Sequence, residues 1–189
     1  MALDKEKSDK HFPLWSLDNR FRRLFDNPNK YCSYVSEGQI VADLGCGPGF
    51  YTLALAECVG DTGKVYAVDS DEKAIKRLEK KANKHGFQNI ETHASSASEL
   101  SFITDGSVDF VLAEGLLCSM APEQHELAIE EMKRILKPNG LMYLAVSRGP
   151  WSYVEKEELE KILEGFKVEQ KSDGYPGGDR WAVVYKKQN

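Results

Sequence analysis

The stretch VADLGCGPGF (41–50) decides the fold. An apolar strand end meets an acid, Asp43, and then glycines at every second position: Gly45, Gly47 and Gly49. FYTLALAECVG (50–60) continues it with Leu53, Ala54, Ala56 and Val59 at helical spacing. A strand, a tight glycine turn and a helix form the first half of a nucleotide-binding βαβ unit. Glycine is needed there because a side chain would hold the backbone away from a ligand, and because positive φ is open to it. Dinucleotide dehydrogenases favour G-x-G-x-x-G, whereas this chain reads G-x-G-x-G with Asp43 two residues ahead of it.

Outward from that turn, strands and helices alternate. Strands are expected at about 39–44, 64–69, 89–94, 108–113 and 140–147, with helices at 50–59, 71–85 and 122–137. Ser70 or Asp71 can cap the helix 71–85, whose Ala74, Ile75, Leu78 and Ala82 share one face. Pro122 suits a helix start, Ile129, Met132, Ile135 and Leu136 face inward, and Lys137-Pro138-Asn139-Gly140 ends the helix with a turn. A further helix at about 152–165 precedes FKVEQKSD (166–173), the turn GYPGGD (174–179) and RWAVVYKK (180–187), an antiparallel pair. Before the first strand, Phe12 to Val35 is rich in aromatic residues, and Pro13 and Asn27-Pro28 divide it into two short helices. This segment is expected either to pack on the flank of the sheet or to close over a pocket as a lid.

Four motifs in order resemble the class I S-adenosylmethionine (SAM)-dependent methyltransferases. VADLGCGPGF is similar to that family's motif I, VYAVDSD (65–71) to its second strand, ELSFITDGSVDFVLA (99–113) to the approach to its fourth, and RILKPNGLMYLAVS (134–147) to its helix, turn and fifth strand. The nearest likeness is to small single-domain enzymes of the ubiquinone/menaquinone-biosynthesis type. The resemblance implies a Rossmann-like, doubly wound α/β fold: a seven-stranded, mostly parallel sheet with a C-terminal antiparallel hairpin and helices on both faces. It also implies one domain over 1–189, with a helical lid at 1–37, a SAM-binding core at 38–147 and a C-terminal helix and hairpin at 148–189.

The resemblance also assigns a site. Asp69, with Ser70 beside it, would hold the ribose hydroxyls of SAM. Backbone groups of Gly45, Cys46 and Gly47 would reach its amino-acid end, with Asp43 adding negative charge near the ammonium. Ser96 stands where the family places an acid against adenine, and the N–H of Ala97 is available to the ring. Glu114 follows the fourth strand on the cofactor or substrate side. A helix N-cap is the structural alternative for Asp69, and its spacing from Gly49 alone does not distinguish SAM from NAD. An acid ahead of the glycines is poorly placed against a pyrophosphate, which favours SAM on electrostatic grounds.

The implied reaction is methyl transfer from SAM to a small-molecule acceptor by in-line displacement, leaving S-adenosylhomocysteine (SAH). Such a step needs alignment and exclusion of water, and a base only where the acceptor must lose a proton early. No catalytic residue is assigned. His11, Tyr31, Tyr34 and Cys118 lie near the pocket mouth in this reading, whereas His93 is expected to be structural and His125 to face solvent. Trp15, Leu116, Leu117, Met120, Trp151 and Tyr175 complete an apolar and aromatic set for the acceptor, or else for the core. The rivals are a SAM-binding sensor or partner subunit without transfer activity, and a dinucleotide-dependent oxidoreductase.

Composition narrows the class further. At 189 residues, 41% hydrophobic and 29% charged, the chain can bury a core as one domain. No apolar run reaches membrane-spanning length and the N-terminus lacks a hydrophobic signal core, so a cytoplasmic enzyme is expected. A net charge of −5 argues against nucleic acid as partner, and KRLEKKANKH (76–85) reads as a solvated helix face. Cys32, Cys46, Cys58 and Cys118 show no metal-ligand spacing and are expected to be reduced thiols. Oligomeric state is left open.

Overall fold

Seven strands form one sheet in the order β3-β2-β1-β4-β5-β7-β6. The computed structural model describes residues 9, 13–17, 22–147, 152, 154–174 and 178–187, without the side chains of Trp15, Arg23 and Phe25. His11, Phe12, Phe21, Trp151 and Tyr175 lie outside the described residues, as does the side chain of Trp15.

In chain order the elements are α1 (Leu14–Leu17), α2 (Arg22–Phe25), a 3-10 segment (Pro28–Tyr34), β1 (Ile40–Leu44), α3 (Thr52–Val59), β2 (Lys64–Asp69), α4 (Glu72–His85), β3 (Ile90–Ala94) and β4 (Val108–Glu114). Then follow α5 (Leu116–Ser119), a 3-10 turn (Pro122–Gln124), α6 (His125–Ile135), β5 (Leu136–Val146), α7 (Lys156–Glu164), β6 (Phe166–Ser172) and β7 (Arg180–Lys186). The strands β1 to β5 pair in parallel, and β7 joins β5 and β6 antiparallel.

Successive residues of the central strands face opposite layers, which is why those strands are apolar on both sides. Val41, Val65, Phe110 and Leu112 pack with Leu55, Ala56 and Val59 of α3. On the other face Ala42, Leu44, Val111, Ala113 and Leu144 meet Ala128, Ile129, Met132 and Ile135 of α6 and Leu159 and Leu163 of α7. Asp71 caps α4 by accepting from the Lys73 N–H at 2.8 Å, and Gly86 closes it in the left-handed region.

Several expectations change. The N-terminal segment carries two four-residue helices and a 3-10 turn rather than two helices, because Pro28 with its Asn27 cap starts a separate element. α6 begins at His125, after a 3-10 turn over Pro122–Gln124, and it ends at Ile135. Leu136 therefore belongs to β5, paired with Val108, and the register shifts before Phe110↔Leu141. The three-residue offset turns His125 inward: it is 4% exposed, with Nδ1 2.7 Å from Glu158 and Nε2 3.1 Å from the Met120 carbonyl. It does not face solvent.

Cys32 and Cys58 are not reduced thiols. They form a disulfide across 26 residues, with Cα atoms 5.8 Å apart, because the 3-10 segment packs on α3. Only Cys46 and Cys118 are free, and both are buried. Linear spacing gave no sign of a pair that meets across a strand and a turn.

Gly49 has φ +86°, and a Cβ there would lie 2.4 Å from Cδ1 of the fully buried Leu78. Gly86 has φ +80° but open space around it. Gly49→Ala is expected to cost roughly 2–4 kcal/mol, from strain plus overpacking, and Gly86→Ala about 1–2 kcal/mol from strain alone. Urea unfolding of the two variants checks this; equal losses would place the effect in the backbone only.

Candidate functional site

A cavity of about 410 Å³ opens at the C-terminal ends of β1, β2 and β4, where the strand order reverses direction. Asp43, Gly45, Cys46, Gly47, Asp69, Ser70, Ser96, Ala97 and Glu114 all line it. Each stands at the end of a parallel strand or in the loop that follows. Parallel pairing of β1 with β2 and β4 therefore gathers residues more than 70 positions apart.

The glycine turn is held by its own N–H groups. Those of Gly45 and Cys46 donate to the Val68 carbonyl at 2.8 and 3.0 Å, that of Gly47 to Asp69 Oδ2 at 2.8 Å, and that of Gly49 to the Cys46 carbonyl at 3.1 Å. Positive φ at Gly45, Gly47 and Gly49 makes this winding possible. Pro48 has no N–H at all. The N–H groups of the turn are thus taken up, and it lacks the row of free donors that an anion site requires.

Asp69 is not the helix cap. Its Oδ1 accepts from the Asp71 N–H at 2.8 Å while Oδ2 holds Gly47, which fixes the carboxylate on the cavity wall. Asp43 is 2% exposed, and its Oδ2 accepts from the Thr52 hydroxyl of α3 at 2.6 Å. Burial, aided by the nearby Asp69 and Glu114 charges, pushes its pKa up to about 7 against the Thr52 hydrogen bond. The Ser96 hydroxyl donates to Gln124 Oε1 at 3.0 Å, accepts from the Ser98 N–H at 3.3 Å and lies 2.8 Å from Ser98 Oγ, which ties it into its own loop. Burial raises the Cys46 and Cys118 thiols, which excludes a ready thiolate in the cavity.

The lining is strongly acidic. Among the described residues Asp9, Asp26, Asp43, Asp69, Asp71, Glu114 and Asp179 face it, with Arg22 as the basic side chain. Arg22 and Asp26 were not anticipated from sequence, although Arg22, Asp26 and Lys30 at every fourth position form a legible stripe. Arg22 lies 4.2 Å over the Phe50 ring and donates to the Tyr51 hydroxyl at 3.2 Å, and Tyr51 donates to Asp26. Lys30 pairs with Asp26 at 3.2 Å and Glu114 at 3.6 Å. With Leu14, Ser16 and Leu17 also lining the cavity, the N-terminal segment is its roof.

The other sequence candidates separate. Leu116, Cys118 and Met120 line the cavity. Leu117 is wholly in the core, and Tyr34 stacks on Phe110 at 5.9 Å. Tyr31 is 1% exposed and donates its hydroxyl to Glu114, and burial and that carboxylate drive its pKa upward. It is a donor, not a base. His93 stacks on Phe102 at 3.6 Å within β3, away from the site. Among the described residues no cluster of His, Cys, Asp and Glu is arranged to hold a metal ion.

A glycine turn at the switch point of a 3-2-1-4-5-7-6 sheet, with an acid ending β2, defines a nucleoside-binding α/β domain. The chain belongs to the methyltransferase domain family, whose model matches residues 41–140. It is 36% identical over 107 residues to a demethylmenaquinone methyltransferase of Geobacillus stearothermophilus, covering 57% of this chain and 44% of the relative. The chain thus spans less than half the length of the curated relatives it matches. A solved SAM-dependent methyltransferase from Aquifex aeolicus superposes with a TM-score of 0.75 at 28% identity, covering 92% of this chain and 100% of that one. The PH0226 protein of Pyrococcus horikoshii, at 18% identity and a TM-score of 0.76 over 93% of this chain and 96% of its own, shows the fold alone.

The raised pKa of Asp43 has a definite sign. The fold favours the protonated acid, so its contribution to stability is full below the ordinary value of 3.8 and is lost as pH rises through about 7. Asp43→Asn keeps an acceptor for Thr52 and removes the charge. Without ligand, its stability relative to the parent chain is expected to rise between pH 4 and pH 8, by on the order of a few kcal/mol. Urea unfolding across that range checks it; a pH-independent difference would mean that Asp43 ionises normally.

Proposed function

We propose that this chain is a SAM-dependent methyltransferase acting on a small molecule. The observation that carries it is a cavity whose glycine turn has used its N–H groups internally and whose walls are acidic. Such a site suits a ligand with an ammonium and a sulfonium and repels the pyrophosphate of a dinucleotide.

The residues present fit SAM. Turn carbonyls and Asp43 would take the ammonium, Asp69 and Ser70 the ribose hydroxyls, and Ser96 and the Ala97 N–H the adenine edge. When bound, SAM supplies an activated methyl group for in-line displacement. The protein's part is to orient and to exclude water, which the roof of Leu14, Leu17 and Arg22 and the buried floor of the cavity serve.

The acceptor is assigned to a second space of about 300 Å³ that shares Glu114 and Asp179 with the first. Tyr143 and Trp181, stacked at 5.6 Å, line it and favour a flat, partly apolar acceptor. A flat ring is also what the demethylmenaquinone methyltransferases are named for. Glu114 stands where the two spaces meet, held by Tyr31 and Lys30, and can take the acceptor's proton. The roof, core and hairpin are read as one unit over 1–189 acting in the cytoplasm, and nucleic acid is not its substrate. No helix among the described residues is long and apolar enough to cross a membrane.

The test is binding first, then transfer. In calorimetry and thermal shift, SAH and SAM are expected to bind, and NAD and NADP not; the reverse result would make the protein an oxidoreductase. Asp69→Ala is expected to lower SAH affinity at least about tenfold and also to destabilise the fold by ~1–3 kcal/mol, because the Gly47 and Asp71 N–H groups lose their acceptor. Glu114→Gln is expected to bind SAH within about threefold of the parent chain. Its transfer of labelled methyl into a metabolite extract should fall about 100-fold. Binding by the parent chain without any labelled product would favour a sensor.

A further inference from the structure

We propose that the Cys32–Cys58 disulfide is a redox latch that holds the roof on the cofactor cavity, so that thiol–disulfide exchange with a dithiol regulates binding there. The proposal rests on the cofactor assignment above and adds its control.

The 26-residue loop closed by the bridge contains β1 and the whole glycine turn. One end of the bridge lies on α3, whose Thr52 holds Asp43. The other end follows Tyr31 directly. That ring is wedged 5.0 Å from Tyr51 and 4.7 Å from Tyr143, and its hydroxyl holds Glu114. Lys30, one residue earlier, pairs with Glu114 and Asp26. The bridged segment therefore carries the groups that dock the roof onto the end of β4. Helices α1 and α2 have four residues each, too short to persist without such docking.

The chemistry is selective by position. Cys32 and Cys58 are half-buried, whereas the free Cys46 and Cys118 are buried, with raised thiol pKa values. A reductant thiolate attacks one bridge sulfur, forming a mixed disulfide and releasing the other as a thiolate that takes up a proton. The reductant's second thiol then displaces the first cysteine, leaving two cysteine thiols and the reductant's own disulfide. With the bridge open, the roof loses its one covalent tie and is left to the ring contacts of Tyr31 and Tyr34 and the polar contacts of Arg22, Asp26, Lys30 and Tyr31.

The test compares the oxidised chain with the same chain reduced by dithiothreitol. Calorimetry with SAH and hydrogen exchange of residues 22–34 are the two readouts. Reduction is expected to weaken SAH binding about tenfold, through lost pre-organisation, and to speed exchange over residues 28–34. Oxidised glutathione should restore both. The Cys32→Ser, Cys58→Ser double variant should match the reduced chain and ignore dithiothreitol. Equal affinity and equal exchange in the two states would overturn the latch. So would four titratable thiols in unfolded protein that had been exposed to oxidised glutathione. If SAH binds neither state, the cofactor assignment fails and exchange alone decides: unequal protection supports a latch on the roof, equal protection overturns it.

Discussion

The site depends on one carbonyl and one carboxylate at the end of β2. The Val68 oxygen accepts two N–H groups of the glycine turn, and Asp69 accepts a third. These bonds wind the turn into positive φ, bring β1 and β2 to a common edge and consume the donors that would otherwise define an anion site. Sheet geometry gathers the loops at the switch point, as in any open parallel sheet. The character of the site is set by which backbone groups remain after the turn has satisfied itself. Here the donors of the turn are taken, and the charged side chains lining the cavity among the described residues are mostly acids.

An acid-lined cavity is costly to keep without a cation, and Asp43 records that cost. It sits between the buried part of β1 and the first turn of α3, with one hydroxyl partner and two carboxylates nearby. The fold therefore shifts it toward the protonated form at neutral pH. A cationic ligand reverses the preference, because ionised Asp43 then gains a partner. Affinity for an ammonium and stability of the ligand-free fold pull this residue in opposite directions. Such tension is common where a site is pre-organised for charge.

Much of this was legible in the sequence because it is local. The glycine turn, the acid closing β2, the serines after β3 and Glu114 at the end of β4 occupy fixed places in strand-loop-helix units, and the parallel sheet does the rest. What the sequence hid depends on packing between distant segments or on phase. The partnership of Cys32 with Cys58 exists only because a 3-10 segment lies on α3. The inward face of His125 follows from a three-residue 3-10 turn that delays α6. Gly140 shows the same limit: the turn expected at 137–140 lies within β5, and a Cβ on Gly140 would lie 3.0 Å from the Val108 carbonyl, so the glycine serves close strand approach. Arg22 and Asp26 carried a visible four-residue spacing, but nothing local said that the stripe faced a cavity.

The roof follows from the same physics. The segment's α-helices have only four residues each, and Leu24 stays largely exposed. Side-chain pairs between half-exposed charges hold such a segment weakly, each adding at most ~1 kcal/mol. A covalent tie works differently, acting mainly on the unfolded chain. For the 26-residue loop here, chain-entropy arguments give about 3 to 4 kcal/mol. One bond then outweighs the sum of several surface ion pairs. It is placed where the segment that donates to Glu114 meets the helix that leaves the glycine turn, so the stability of the roof and the shape of the cofactor cavity become one quantity rather than two.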